Sequence, residues 1–314
     1  LRACPALERS LPGIQPRWLG YARVIRLRRW TPPVCGARVN CRAVSSGDGS
    51  LRAGATVLLT GATGGIGQAI ARAVSQRGVR LIMTARRAEL LNALAREFSA
   101  WTVTCDLAQR DDVRQLAAVA ESERVDVLVA NAGLPASGLL TELTAEQVDR
   151  MLEVNLRAPI ALAHALAPGM VARGSGHIVF ISSLAGKAAS PASSLYSATK
   201  FGLRGFALGL RADLHDHGVG VSVVLPGFIR DAGMFADAGV NLPRGVGTRT
   251  PQDVAAGVIR AIDHNRAEVE VAPLGLRLGA TFAAVAPGAA ATVSRRMGSD
   301  RIATRMAERQ RDKR

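Results

Sequence analysis

Lysine is nearly missing from this sequence: Lys187, Lys200 and Lys313 are the only three, although lysine and arginine together number 40 in 314 residues. Tyrosine is scarcer, with Tyr21 and Tyr196 alone, and aromatic residues make up only 4%. No basic stripe with interleaved aromatics runs through the middle of the chain, which argues against nucleic acid as a partner. Cysteine is sparse too. Cys4, Cys35 and Cys41 lie far ahead of Cys105, at spacings that suit neither a zinc site nor a disulfide framework. Free thiols and a reducing compartment are expected. His164, His177, His215 and His217 lack metal-ligand spacing with cysteines or carboxylates, so they are read as structural and no metal is expected. No secretory h-region is evident.

The formal charge of +15 is unevenly placed. Residues 1–54 hold ten arginines against Glu8 and Asp48, a net of +8, and residues 295–314 carry a net of +5. The long middle, 55–294, is left with only +2. It reads as an ordinary near-neutral domain with basic ends, and the hydrophobic content of 48% is ample for a core. Residues 1–53, rich in Arg, Pro and Gly without apolar periodicity, are expected to be a disordered extension without catalytic duty, either a transit-peptide-like segment or upstream sequence.

From Ala55 onward apolar strands alternate with helical stretches. Strands are expected at 56–59, 79–84, 101–104, 125–130, 177–181, 219–225 and 268–271. Helices are expected up to about Gln76, then over 87–98, 111–122, 145–172, 194–216 and 251–265. That alternation predicts a Rossmann-type, doubly wound parallel sheet: one α/β domain over 54–272 with basic N- and C-terminal extensions. Residues 273–314 are expected to be a helical extension. The uncharged stretch Leu278–Val293 is short for a span of about 20 residues, so a cover over a substrate mouth is expected, with interfacial membrane contact as the alternative.

Between the first strand and helix stand Gly61, Gly65 and Gly67. Glycines there allow a tight turn and close backbone approach, placing a pyrophosphate at a helix N-terminus. After the second strand, where a carboxylate would hold the ribose of NAD, the chain reads Thr84-Ala85-Arg86-Arg87. Arg86 suits a 2′-phosphate, so NADP(H) is expected rather than NAD(H). Tyr196 and Lys200, four residues apart, share one helix face. An ammonium beside a phenol favours the phenolate, so the spacing predicts a lowered Tyr196 pKa and a group able to pass a proton.

These residues, in this order, resemble a classical short-chain dehydrogenase/reductase over about 55–272. The family's glycine motif matches Thr60-Gly61-Ala62-Thr63-Gly64-Gly65-Ile66-Gly67. Its adenine-contacting Asp matches Asp106, before Leu107, and its N-N-A-G turn matches Ala130-Asn131-Ala132-Gly133, with the first Asn replaced. Its catalytic tetrad matches Asn155, Ser183, Tyr196 and Lys200. Pro226-Gly227 matches its later P-G motif, but Asp231 stands where the family has the Thr that contacts the nicotinamide carboxamide.

The resemblance implies hydride transfer between the nicotinamide and a carbonyl carbon. Tyr196 is then the general acid and base, Ser183 the oxyanion donor, and Lys200 the group that tunes Tyr196 and holds the nicotinamide ribose. Asn155 would position a relay water. Segments 134–140, 184–195 and 232–247, mostly apolar with Asp237 and Arg244 as the main charges, are expected to line the substrate pocket, with Met234-Phe235 as a lid hinged at Gly233 and Gly239. An apolar or acyl-type carbonyl substrate follows, with cytoplasmic residence and a homo-oligomer through 145–172 and 194–216 as further expectations, and a peripheral membrane contact through 273–314 as the alternative to a substrate cover. The alternatives are a cofactor-binding regulatory or scaffold protein of the same fold, and a membrane-associated reductase of lipid-linked carbonyls.

Overall fold

The computed structural model describes residues 51–135, 138–239, 246–296 and 308–310. The expected disorder of 1–53 falls almost wholly outside them. Leu51, near the end of that extension, is buried in the core, and its N–H donates to Asp263.

Seven parallel strands form one sheet: β1 (Thr56–Thr60), β2 (Arg80–Ala85), β3 (Trp101–Thr104), β4 (Val127–Ala130), β5 (Gly176–Ile181), β6 (Val219–Pro226) and β7 (Glu268–Val271). Their order across the sheet is β3-β2-β1-β4-β5-β6-β7. Strand residues point alternately to the two faces, and both faces are buried, which is why the strands read as continuous apolar runs. Val57, Leu59, Met83, Val129, Val179 and Val224 face one layer, packed on α1 (Gly65–Ser75), α2 (Ala88–Phe98) and α8 (Pro251–Asp263). Leu58, Ile82, Leu128, Ile178, Phe180 and Val223 face the other, packed on α3 (Arg110–Ser122), α5 (Ala158–Arg173) and α6 (Ser194–Leu214). This is the doubly wound architecture that the sequence predicts.

The single helix expected over 145–172 is two: α4 (Ala145–Leu152) and α5, joined by a π-helical turn at Glu153–Arg157. Proline supplies the reason. Pro159 has no N–H, so the carbonyl of Asn155 has no donor four residues on, and the ladder widens there. α4 opens with a capping box, Thr144 and Gln147. The C-terminal stretch also divides. After the short α7 (Gly233–Ala238) and the sheet's last strand come α9 (Leu274–Val285) and α10 (Pro287–Arg296), broken at Ala286 because a residue before proline avoids the helical region.

β5 carries one buried titratable group that bears on stability. The His177 ring is bonded to the Ser222 hydroxyl at 2.8 Å, and burial, helped by the charge of Arg211, pushes its pKa from 6.5 down to about 4. Between those values the unfolded chain binds a proton that the folded chain does not, so stability is complete above pH 6.5 and is lost as pH falls towards 4. The loss is on the order of 3 kcal/mol. Urea unfolding from pH 7 down should therefore show a slope that His177→Gln flattens; an unchanged slope in that variant would assign the acid sensitivity elsewhere.

Candidate functional site

The carboxyl ends of the strands converge on a cavity of about 1380 Å³. Open parallel sheets bind ligands at this edge, where strand order reverses. Here the reversal lies between β1 and β4. The loop after β1 is built by absence of side chains. Gly61 has φ +66, and a Cβ on it would sit 2.8 Å from the Ala132 Cα. A Cβ on Gly67 would run into the Gly61 carbonyl, and one on Gly65 into Ala232. Gly65 and Ile66 open α1, whose free N–H groups face the cavity that Gly61, Gly65, Ile66 and Gly67 line. Arg86 lines the cavity at the end of β2; it is exposed and makes no ion pair among the described residues.

Thr60 does not line the cavity. It is buried, and its hydroxyl accepts from the N–H groups of Asn131 and Ala132, each at 3.0 Å. The Asn131 amide donates back to the carbonyls of Thr60 and Gly61. Thr60 and Asn131 thus knot the ends of β1 and β4 together, and Ala132 and Gly133 continue as cavity wall. Asp106 and Leu107 line it after β3. The Asp106 carboxylate caps its own turn through the Ala108 N–H and pairs with Arg150 at 3.4 Å. Its neighbour Cys105 is a buried free thiol, pushed up to about 12 by burial and by the charges of Asp112 and Asp106, so it is an inert neutral group.

The four tetrad positions come together. Asn155, in the π-helical turn, is buried and clamped to one residue: its Oδ1 accepts from the Leu134 N–H at 2.7 Å and its Nδ2 donates to the Leu134 carbonyl at 3.0 Å. Gly133 fits beside it; a Cβ there would lie 3.5 Å from Asn155 Oδ1 and 3.6 Å from Lys200 Nζ. Lys200, on α6, is 3% exposed, and its Nζ donates to the Ile181 carbonyl at 3.0 Å, 5.6 Å from the centre of the Tyr196 ring. Ser183 follows β5; its hydroxyl donates to the Pro226 carbonyl at 3.4 Å and accepts from the Ala185 N–H at 3.1 Å. Ser182 is a different kind of residue: its buried hydroxyl donates to the Lys200 carbonyl and ties β5 to α6.

The pKa expectation is corrected. Burial raises that of Tyr196, and the Ser183 hydrogen bond only partly opposes it. The ammonium meant to lower it is itself pushed down to about 8 by burial. Spacing displays the attraction between the two groups but not the loss of water around both.

Pro226 and Gly227 line the cavity as expected, but Asp231 does not; it is exposed, at φ +69, with its carboxylate 3.5 Å from Arg230. Each expected pocket segment contributes wall residues, among them Leu134, Ala188, Met234 and Val246. Met234-Phe235 lies on α7 between Gly233 at φ +83 and Gly239 at φ +57, as a hinged element would. The side chains of Asp237 and Arg244 lie outside the described residues.

Sequence reasoning missed a charged lattice at this rim. Lys187 pairs with Glu268 at 3.1 Å and Glu270 at 2.8 Å; Arg204 pairs with Glu268, and Arg277 with Glu270 at 2.9 Å. Burial works against the Lys187 charge, but the two glutamates outweigh it and lift its pKa. The one signal available was that Lys187 is among only three lysines.

The model of the short chain dehydrogenase family matches residues 55–241. The chain belongs to that family. This short-chain dehydrogenase is 36% identical over 225 residues to the ketoacyl reductase HetN of Nostoc sp., covering 69% of this chain and 78% of that one. It is 34% identical over 258 residues to the bovine (Bos taurus) dehydrogenase/reductase SDR family member 7B, covering 74% and 78%. Among solved structures, a Sphingobium yanoikuyae short-chain dehydrogenase in complex with NADPH superposes with a TM-score of 0.66 at 30% identity, covering 76% of this chain and 95% of that one. A metagenomic short-chain oxidoreductase in complex with NADP gives 0.59 at 35%, covering 71% and 98%.

The Asn155 clamp is directly testable. Asn155→Ala would leave a partly buried N–H and carbonyl of Leu134 unpaired, a cost of about 1–3 kcal/mol in unfolding free energy. Asn155→Asp, which keeps the acceptor but sets a buried carboxylate oxygen against the Leu134 carbonyl, should cost at least as much. Two variants as stable as the parent would mean that Leu134 finds other partners.

Proposed function

We propose that this chain is an NADP(H)-dependent oxidoreductase that interconverts a carbonyl and a secondary alcohol on an apolar small-molecule or acyl-type substrate. The observation that carries the reading is the convergence of Tyr196, Ser183 and Lys200 in one cavity with the glycine cradle and Arg86. The residues fit a phosphorylated dinucleotide: the cradle leaves no room for any Cβ at Gly65 or Gly67, and the β2 end offers a guanidinium without a carboxylate. Gly61, Gly65 and Gly67 would hold the pyrophosphate and Arg86 the 2′-phosphate. Two of the structures this chain resembles, one in complex with NADPH and one with NADP, support this.

The chemistry supplied by the dinucleotide, when bound, is hydride exchange with a carbonyl carbon. Everything else falls to side chains. Tyr196 holds a proton firmly, because burial raises its pKa, and can give it to an alkoxide as that stronger base develops. Ser183 donates to the same oxygen from beside it. The Lys200 ammonium stabilises the phenolate left behind and, with a pKa near 8, can itself exchange a proton. Asn155 has one lone pair on Oδ1 and one N–H on Nδ2 beyond its Leu134 clamp, the capacity that a relay water would use. The walls formed by Phe228, Met234, Leu276 and Ala280 are apolar, with Arg295 of α10 the one charge beside them, which favours an apolar substrate.

Two measurements test the reading. In titrations, Arg86→Ala should weaken NADPH binding by about ten- to a hundredfold and leave NADH nearly unchanged. Equal losses for both nucleotides would overturn the 2′-phosphate assignment. In a screen of apolar ketones and aldehydes, Tyr196→Phe should bind NADPH normally yet turn over about 10²–10⁴ times more slowly. A variant as fast as the parent would remove Tyr196 from the chemistry, and binding without turnover by the parent would favour the regulatory reading.

A further inference from the structure

α9 is apolar on two opposite sides. Leu274, Leu278, Phe282 and Val285 fall within an arc of about 80° at the helical 100° per residue, and they are 66%, 62%, 48% and 81% exposed. Leu276, Gly279, Ala280 and Ala283 fall on the other side and line the cavity. A surface helix of a soluble protein turns a polar face outward; this one turns four large apolar side chains to solvent, and of those it turns inward only Leu276 is large. Phe282, together with Val293 and Arg295 of α10, belongs to both surfaces: each lines the cavity and each is exposed. The mouth of the cavity therefore opens through the apolar stripe.

Charge identifies the occupant. No Asp or Glu occurs from 271 to 299, whereas Arg295 and Arg296 end α10 exposed, and the stretch 295–314 carries a net of +5. A second copy of the chain would bring the same basic end against itself, while an anionic bilayer surface complements both the stripe and the arginines. Among the described residues no helix is long and apolar enough to cross a membrane, so contact is with the surface.

We propose that the α9–α10 segment docks on an anionic lipid bilayer, with the large apolar side chains of α9 in the headgroup boundary, and so places the cavity mouth against lipid. This deepens the proposed function, and rests on it only for the substrate: the carbonyl compound would be bilayer-resident and would enter past Phe282 without crossing water.

The test does not depend on turnover. The full chain is sedimented with phosphatidylcholine vesicles, with and without phosphatidylserine, at low salt. Binding is expected to the phosphatidylserine vesicles, about tenfold weaker or more in Leu274→Ser/Leu278→Ser, whose side chains lie outside the cavity. Arg295→Gln/Arg296→Gln should weaken it by a similar factor. Thermal unfolding of each variant shows that the fold is kept. Two results would overturn the proposal. One is vesicle binding that survives the leucine changes undiminished, which would assign it to basic segments elsewhere in the chain. The other is a parent that ignores vesicles but sediments as an oligomer that the leucine changes dissociate, which would make the stripe an interface between copies.

Discussion

A lysine ammonium buried against a single carbonyl is the constraint around which the site is arranged. Lys200 is 3% exposed, and its nitrogen reaches only the Ile181 carbonyl among the described residues. A charge removed from water in this way is costly, and the fall of its pKa to about 8 records that cost. The fold holds the ammonium there from both sides. α6 is bound to the end of β5 by the Ser182 hydroxyl, which donates to the Lys200 carbonyl, while Lys200 itself reaches back to Ile181. Gly186 packs so closely that a Cβ would lie 2.7 Å from the Lys200 carbonyl oxygen, and Gly133 leaves the space beside the nitrogen. An arginine, with its larger planar fork, would not fit the same slot, which accounts for a lysine in a chain that otherwise uses arginine.

The sheet that carries this arrangement was legible because its signals are local. Buried parallel strands announce themselves as apolar runs, and the glycine at Gly67 answers to the Gly61 carbonyl within the same loop. Tyr196 and Lys200 needed only the helical period to be placed together. The π-helical turn was hidden for a related reason. The apolar pattern runs unbroken from Met151 to Leu166, and only the missing N–H of Pro159 marks the place where the ladder must open.

What sequence could not show is what depends on distant partners. The Asn155 clamp joins residues 21 apart, and the ion pairs of Lys187 join a loop after β5 to β7, more than 80 residues on. Burial is the deeper case. At the level of spacing, an ammonium near a phenol can only lower the phenol's pKa; in the folded chain both groups lose water, and the Tyr196 pKa rises instead. For a general acid in reduction that direction is useful, since the proton should stay on the phenol until a stronger base forms. The motif thus placed Tyr196 beside Lys200 and mistook the force that sets the phenol's pKa.

The walls of the cavity differ in how they are held. On one side the lattice of Lys187, Glu268, Glu270, Arg204 and Arg277 fastens the loop after β5 to α6, β7 and α9 at once. Charges in such a network, half-buried and shared, restrain each other's geometry more than separate surface pairs would. On the other side α7 hangs between two glycines of positive φ, held by the Phe228–Phe235 ring contact and by the Gln310 amide, which donates to the Met234 carbonyl at 2.7 Å. A Cβ on Gly65 would strike Ala232 just before α7, so this wall rests directly on the glycine loop. Movement of α7 would therefore open the glycine cradle and the cavity beside it together, while α9 is tied to the lattice through Arg277.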